Sequence, residues 1–230
     1  MSDYVDALTG RARAQGRDRY FTYLTSIAEE DAYYGAGTNV GLGVGLGTDA
    51  AQRRLVVIEA FEGSPGLAAG LDRGTEMLAI GTSMSDLRAV SAIADGEGLA
   101  GVSRALGPDT NGITRLLRVI DANGIRNVTV TKRAFDLFPV SSRYGCRIID
   151  YGGHRVGYVN LRTFISTADA QLRTAFAQFR GAGITEIIID LRYNGGGAGL
   201  DRWAIGGFAG AREKHGGRLL LSKLSAGKIR

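Results

Sequence analysis

The sequence predicts a mixed α/β plus mainly-β protein: N-terminal helices, a small β unit with short helices, then an α/β unit with parallel strands. Three observations carry this. Strand-like runs separated by turn residues concentrate between residues 38 and 133, and a strand–helix–strand–helix succession follows between 156 and 208. Glycine is also in excess, with 35 glycines against 3 prolines in 230 residues. That is about twice the usual ~7% and points to many tight turns and close backbone approaches. The rest of the composition, 44% hydrophobic and 22% charged, is that of a globular chain and excludes disordered and fibrous classes. No run approaches ~18 uncharged apolar residues, so no membrane span is expected.

The elements follow in order. Residues 3–31 lack proline, and Tyr20, Leu24, Ile27 and Ala28 recur at helical spacing, which predicts a helix with one apolar face. From Gly35 to Gly47 glycine alternates with aliphatic residues, so a strand is expected with one bare face and something lying close against it. Leu55–Phe61 is a buried strand, and Glu62-Gly63-Ser64-Pro65 turns into a short helix that stops at Gly70. Met77–Ile80 is a further strand, and Ser85–Leu106 is a helical pattern interrupted by Gly96, Gly98 and Gly101. Ile113–Val119 and Asn127–Lys132 form a hairpin, because Asn123-Gly124 between apolar runs supplies the turn. Phe135 to Pro139 breaks the regularity and puts a boundary near 134–146.

Beyond it, Val156–Leu161 is a strand, and Leu172, Ala175, Phe176 and Phe179 form one helix face ended by Gly181 and Gly183. Glu186–Leu191 is a continuous apolar strand of the kind covered on both faces. Leu200–Phe208 resumes a helical pattern, and Arg218–Leu221 begins another strand. Three parts result: a helical region 1–34, a β domain 35–133, and an incomplete α/β core 134–230.

The segment with most chemical content is Asp190-Leu191-Arg192-Tyr193-Asn194-Gly195-Gly196-Gly197. Consecutive glycines between a buried strand and a helix let backbone N–H groups converge on an anion, either a bound phosphate or carboxylate or a developing oxyanion. The plainer reading is a glycine-rich βα turn with no ligand. The Gly-x-Gly-x-x-Gly register fails and no Gly-Lys-Ser/Thr follows, so nucleotide binding has little support.

This segment resembles the Asp-Leu-Arg-Asn-Asn-Pro-Gly-Gly signature of the carboxy-terminal processing (tail-specific) serine peptidases. Other stretches match that family in order: Asp18–Leu24; Gly41-Leu42-Gly43-Val44, similar to the carboxylate-binding loop of its PDZ domain; Gly63-Ser64-Pro65, Ala69-Gly70-Leu71 and Gly74–Ile80; and Gly157–Phe164. Departures are Thr75 for Asp, Tyr193 for Asn and Gly195 for Pro; the last makes the loop less rigid. The resemblance implies a PDZ-like 35–133 domain and the first part of a ClpP/crotonase-like core. Gly41, Leu42, Gly43 and Val44 would hold the free C-terminus of a polypeptide substrate, with Leu42 and Val44 bounding an apolar pocket. Gly196 and Gly197 would supply oxyanion donors, and Asp190 and Arg192 would be a structural pair at the strand end.

The family's nucleophilic serine and lysine base come from a later strand–turn–helix, so the resemblance puts them after Arg230 and implies that these 230 residues alone are inactive. It also implies a periplasmic or other extracytoplasmic location, although no basic-then-apolar leader opens the sequence. A non-catalytic PDZ-type peptide-binding module is the alternative.

Other chemistries find few residues. No Gly-x-Ser-x-Gly elbow is present, and His154 and His215 both sit beside glycines as turn residues. Ser225 and Lys228 have Ser-x-x-Lys spacing with a glycine between them, close to the terminus. One cysteine, Cys146, excludes an internal disulfide and is expected to pack. No metal or cofactor is expected. The net charge is +5, but basic residues are scattered, with Arg53-Arg54 and Lys132-Arg133 the densest, so nucleic acid is not an expected partner. The sequence leaves the oligomeric state open.

Overall fold

The computed structural model describes residues 2–15, 17, 22, 24–49, 53–192, 194–197 and 218–222. The predicted class is what it shows. One sheet is antiparallel and runs in the order β2 (Val44–Thr48), β3 (Leu55–Ala60), β4 (Glu76–Gly81), β6 (Thr114–Asp121), β7 (Gly124–Thr131), with the short β5 (Arg88–Ala89) paired to β4. Its central strands β3 and β4 alternate buried and half-buried positions, and the apolar face closes over α4 (Val90–Leu106). Val57, Leu71, Ile93, Leu117 and Val119 are fully buried there. The short helix α3 (Pro65–Ala68) is capped by the Ser64 hydroxyl, which accepts from the Leu67 N–H, and ends before Gly70 at φ +81°. The β6–β7 hairpin turns at Ala122-Asn123, and α4 departs from helical geometry at Gly98.

The second main sheet has the order β12 (Arg218–Ser222), β11 (Glu186–Asp190), β10 (His154–Asn160), β9 (Arg147–Tyr151). β10, β11 and β12 are parallel and β9 is antiparallel. The crossover from β10 to β11 is α5 (Ala168–Gly181), whose buried stripe is Leu172, Ala175, Phe176 and Phe179. Glycine at position 157 lets the Phe179 ring lie on the sheet, since a Cβ there would stand 2.8 Å from the ring.

The structure corrects several expectations. Residues 3–31 are not one helix: α1 (Ser2–Ala14) ends early, α2 (Ile27–Glu30) is a single turn capped by Ser26, and a π-helix spans Asp31–Ala36. Leu24 and Ile27 are exposed, so their helical spacing has no core to face; Tyr20 lies outside the described residues. The run Gly35–Gly47 is not one strand either. β1 (Thr38–Gly41) and β2 belong to different sheets, because Gly41 and Gly43 at φ +154° and +70° turn the chain between them. The irregular stretch from 134 contains β8 (Arg133–Asp136), which pairs antiparallel with β1 and buries Phe135 and Leu137 against Ile165. The predicted helix Leu200–Phe208 lies outside the described residues.

Polar contacts join the two main sheets. The buried Arg162, just past β10, reaches Glu59 of β3 (3.5 Å) and Glu62, and its guanidinium stands 4.7 Å from the Phe61 ring centroid. Arg73 pairs with Glu59 and stacks 3.9 Å over Tyr144. Arg143 clamps Asp72 (2.5 Å), which also accepts from the Tyr144 hydroxyl (3.0 Å). Chiefly through the Arg143 bond, which outweighs burial, Asp72 is held down at about 2.

Candidate functional site

Two cavities border one another. The smaller, about 190 Å³, is lined by Gly41, Leu42, Gly43, Val44 and Leu46 on one side. Ser103 and Leu106 at the end of α4, with Gly107, Asp109 and Lys132, close the other. The loop is pinned from behind: Gly66 N–H donates to the Leu42 carbonyl (2.7 Å) and Phe61 N–H to the Gly43 carbonyl (3.0 Å). Glycine is required at 43, where φ is +70° and a Cβ would collide with Ser64. Leu42 is in the core and Val44 packs against it, so the wall they present is apolar.

Lys132 is a feature the sequence reading passed over. Its side chain is 2% exposed, and its ammonium donates to the carbonyls of Gly107 (2.8 Å) and Pro108 (2.9 Å) and to Asp109 Oδ1 (2.7 Å). A signal was present: Val128, Val130 and Lys132 alternate on one strand face, the core-facing one. The small cavity is therefore bordered by a buried cation and the carboxylate that pairs with it.

The larger cavity, about 700 Å³, is lined by Gly195, Gly196 and Gly197 together with Tyr33, Tyr34 and Arg162. Asn39, Val40, Phe61 and Asp109 line both cavities, so the two predicted loops are brought to neighbouring hollows. The glycine loop is held by several anchors. Phe164 N–H donates to the Gly196 carbonyl (3.0 Å), and Gly197 lies so close to Phe164 that a Cβ would strike its carbonyl. Gly196 and Gly197 have φ of +111° and +138°, which favours glycine. Asn194 ties the loop to the residue just past β10, donating from Nδ2 to the Leu161 carbonyl (3.0 Å). Its Oδ1 accepts the Gly196 N–H (2.8 Å), so that amide has a side-chain partner in this state.

Asp190 and Arg192 do pair, at 2.5 Å, and the Tyr158 hydroxyl donates to Asp190 Oδ2 (2.6 Å). Burial pushes the Asp190 carboxyl up, but the Arg192 and Tyr158 bonds outweigh it and leave it below the usual range. Burial, followed by the Asp190 bond, raises Tyr158.

Of the remaining candidates, the described ones, His154 and Cys146, line neither cavity. His154 is exposed at the start of β10. Cys146 is only half-buried, with its thiol on Gln178 Oε1 (3.2 Å) and burial pushing it up. Tyr193, His215, Ser225, Lys228 and most of the Asp18–Leu24 stretch lie outside the described residues. Among the described residues no cluster of His, Cys, Asp or Glu could hold a metal ion, and no helix is long and apolar enough to cross a membrane.

Comparison with known proteins bears out the resemblance. Residues 155–205 match the pattern of Peptidase family S41. The chain is 29% identical over 192 residues to the chloroplastic carboxyl-terminal-processing peptidase 3 of Arabidopsis thaliana, covering 79% of this chain and 35% of the relative. It is 26% identical over 163 residues to the carboxyl-terminal-processing protease of Picosynechococcus sp. (strain ATCC 27264 / PCC 7002 / PR-6), covering 70% and 36%. A similar solved structure is the photosystem II D1 C-terminal processing protease, at 23% identity and a TM-score of 0.47, covering 70% of this chain and 42% of that one. The chain spans about a third of the length of the curated relatives it matches.

Proposed function

We propose that this chain is the N-terminal part of a tail-specific serine endopeptidase. Residues 35–133 act as its PDZ-like domain: the Gly41–Val44 loop receives a polypeptide's terminal carboxylate on its backbone amides, and Leu42, Val44 and Leu106 receive the last side chain. Gly196 and Gly197 act as oxyanion donors, for which the Gly196 N–H must leave Asn194 Oδ1. One such donor typically lowers the barrier by about 2.7–4 kcal/mol. The resemblance assigns the attacking serine and its lysine base to polypeptide after Arg230, so the 230 residues alone bind peptides without cleaving them. A compartment outside the cytoplasm is carried by the same resemblance, and one relative is named chloroplastic.

The observation that carries the proposal is the shared wall: the carboxylate loop and the glycine loop open on adjoining cavities lined in common by Asn39, Val40, Phe61 and Asp109. The test is calorimetric titration of a short peptide ending in leucine against its C-terminally amidated twin. The acid binds more tightly; equal affinities refute carboxylate capture. The bond between Gly196 and Asn194 favours a second reading, a peptide-binding module without chemistry. A peptidase assay on the chain extended beyond residue 230 separates the two, since a module hydrolyses nothing.

A further inference from the structure

The carboxylate of Asp109 lies inside the region where the previous reading puts a peptide's terminus. Oδ1 is 2.7 Å from the Lys132 ammonium and 3.1 Å from where a Cβ of Gly41 would stand, so it bridges the buried cation and the first residue of the loop. The two partners are unequal. Lys132 is held almost wholly inside by three acceptors, two of them fixed main-chain carbonyls, whereas the Asp109 side chain is 68% exposed on the turn that follows α4. An ammonium has three protons, all engaged here. A second anion can reach it only by taking the place of one acceptor, and Asp109 is the acceptor that can swing into water at little cost.

We propose that Asp109 is an internal stand-in for the ligand's carboxylate: it neutralises Lys132 while the cavity is empty and is displaced when a peptide's C-terminus enters. This rests on the carboxylate-capture reading. Two consequences follow. The empty cavity never exposes an unpaired buried cation, whose desolvation would be costly. Binding is weaker than the loop alone would allow, because each ligand must first displace a carboxylate of the protein's own, and an amidated or internal peptide segment cannot do so. Asp109 is therefore an affinity-setting residue that holds the binding of free termini in check and speeds their release.

The experiment compares wild type with Asp109→Asn, titrating both with the acid peptide and its amidated twin. Asparagine keeps the shape and an acceptor oxygen but removes the competing charge. The acid peptide binds the variant about fivefold more tightly, while affinity for the amidated twin is unchanged. Acid preference in wild type with unchanged or weaker acid binding in the variant overturns this proposal alone. Equal affinities of the two peptides for wild type overturn the capture reading and this proposal with it. Should the variant fail to fold, wild type decides by carbon-13 NMR. The Asp109 carboxyl resonance moves on saturation with the acid peptide and stays with the amidated one; a resonance that stays with both overturns the displacement.

Discussion

Gly43 shows how much one missing methyl group can decide. Its φ of +70° costs an L residue about 1–2 kcal/mol, and a Cβ would overlap Ser64, the cap of α3. Gly43→Ala is expected to lower stability by about 2–4 kcal/mol, read as a shifted urea midpoint, and to abolish the preference for the acid peptide. This loop was legible in the sequence because glycine at such density has few uses other than close approach. The Asp190–Arg192 pair was equally legible, since two opposite charges at a strand end bracket a loop that must be held. Lys132 left only a faint mark, its phase with Val128 and Val130, because a lysine after a strand ordinarily faces water. Asp109 left none, since only the fold reveals that a turn 23 residues earlier delivers the counter-charge. Asn194 escaped for a related reason: its amide caps a neighbour two residues away, a bond that depends on loop geometry rather than on residue pattern.

Among the elements, α5 is the firmest inference from sequence. Its buried residues, Leu172, Ala175, Phe176 and Phe179 together with Ala168, recur at helical spacing, and Phe179 lies against a strand position where only glycine leaves room. Phe179→Ala leaves a cavity over β10 and is expected to cost about 3–5 kcal/mol, measurable by chemical denaturation. The parallel order of β10, β11 and β12 was readable for the same reason, since a helix between two apolar strands crosses over and returns. The N-terminal helix failed because spacing alone does not create a partner surface: Ile27 sits at the predicted phase and faces solvent. β8 failed from the opposite cause. Its partner β1 lies some ninety-five residues away, and no local pattern reports a pairing closed over that distance.

For the molecule as a whole, the polar seam between the two main sheets sets the response to acid. Asp72 titrates at about 2 in the folded chain and near 3.9 when unfolded. The folded state therefore binds its proton less readily, and the stability this contributes is present above about pH 4 and lost as pH falls toward about 2. The Asp190 and Glu62 carboxyls, also lowered, act in the same direction. Because Asp72 is more than a third exposed, its share is modest. Asp72→Asn is expected to lower the urea midpoint modestly at neutral pH and to converge with wild type as pH falls toward about 2, so the acid limb of its profile is flatter. Phe61 has a different consequence. Its ring is a partition between two hollows, backed by the Arg162 guanidinium and tied at its own backbone to Gly43. A partition cannot yield to both sides at once. A bulky guest that pushes it outward from one chamber narrows the next, so two occupants that never touch would feel each other's size, and each would do so to the same extent.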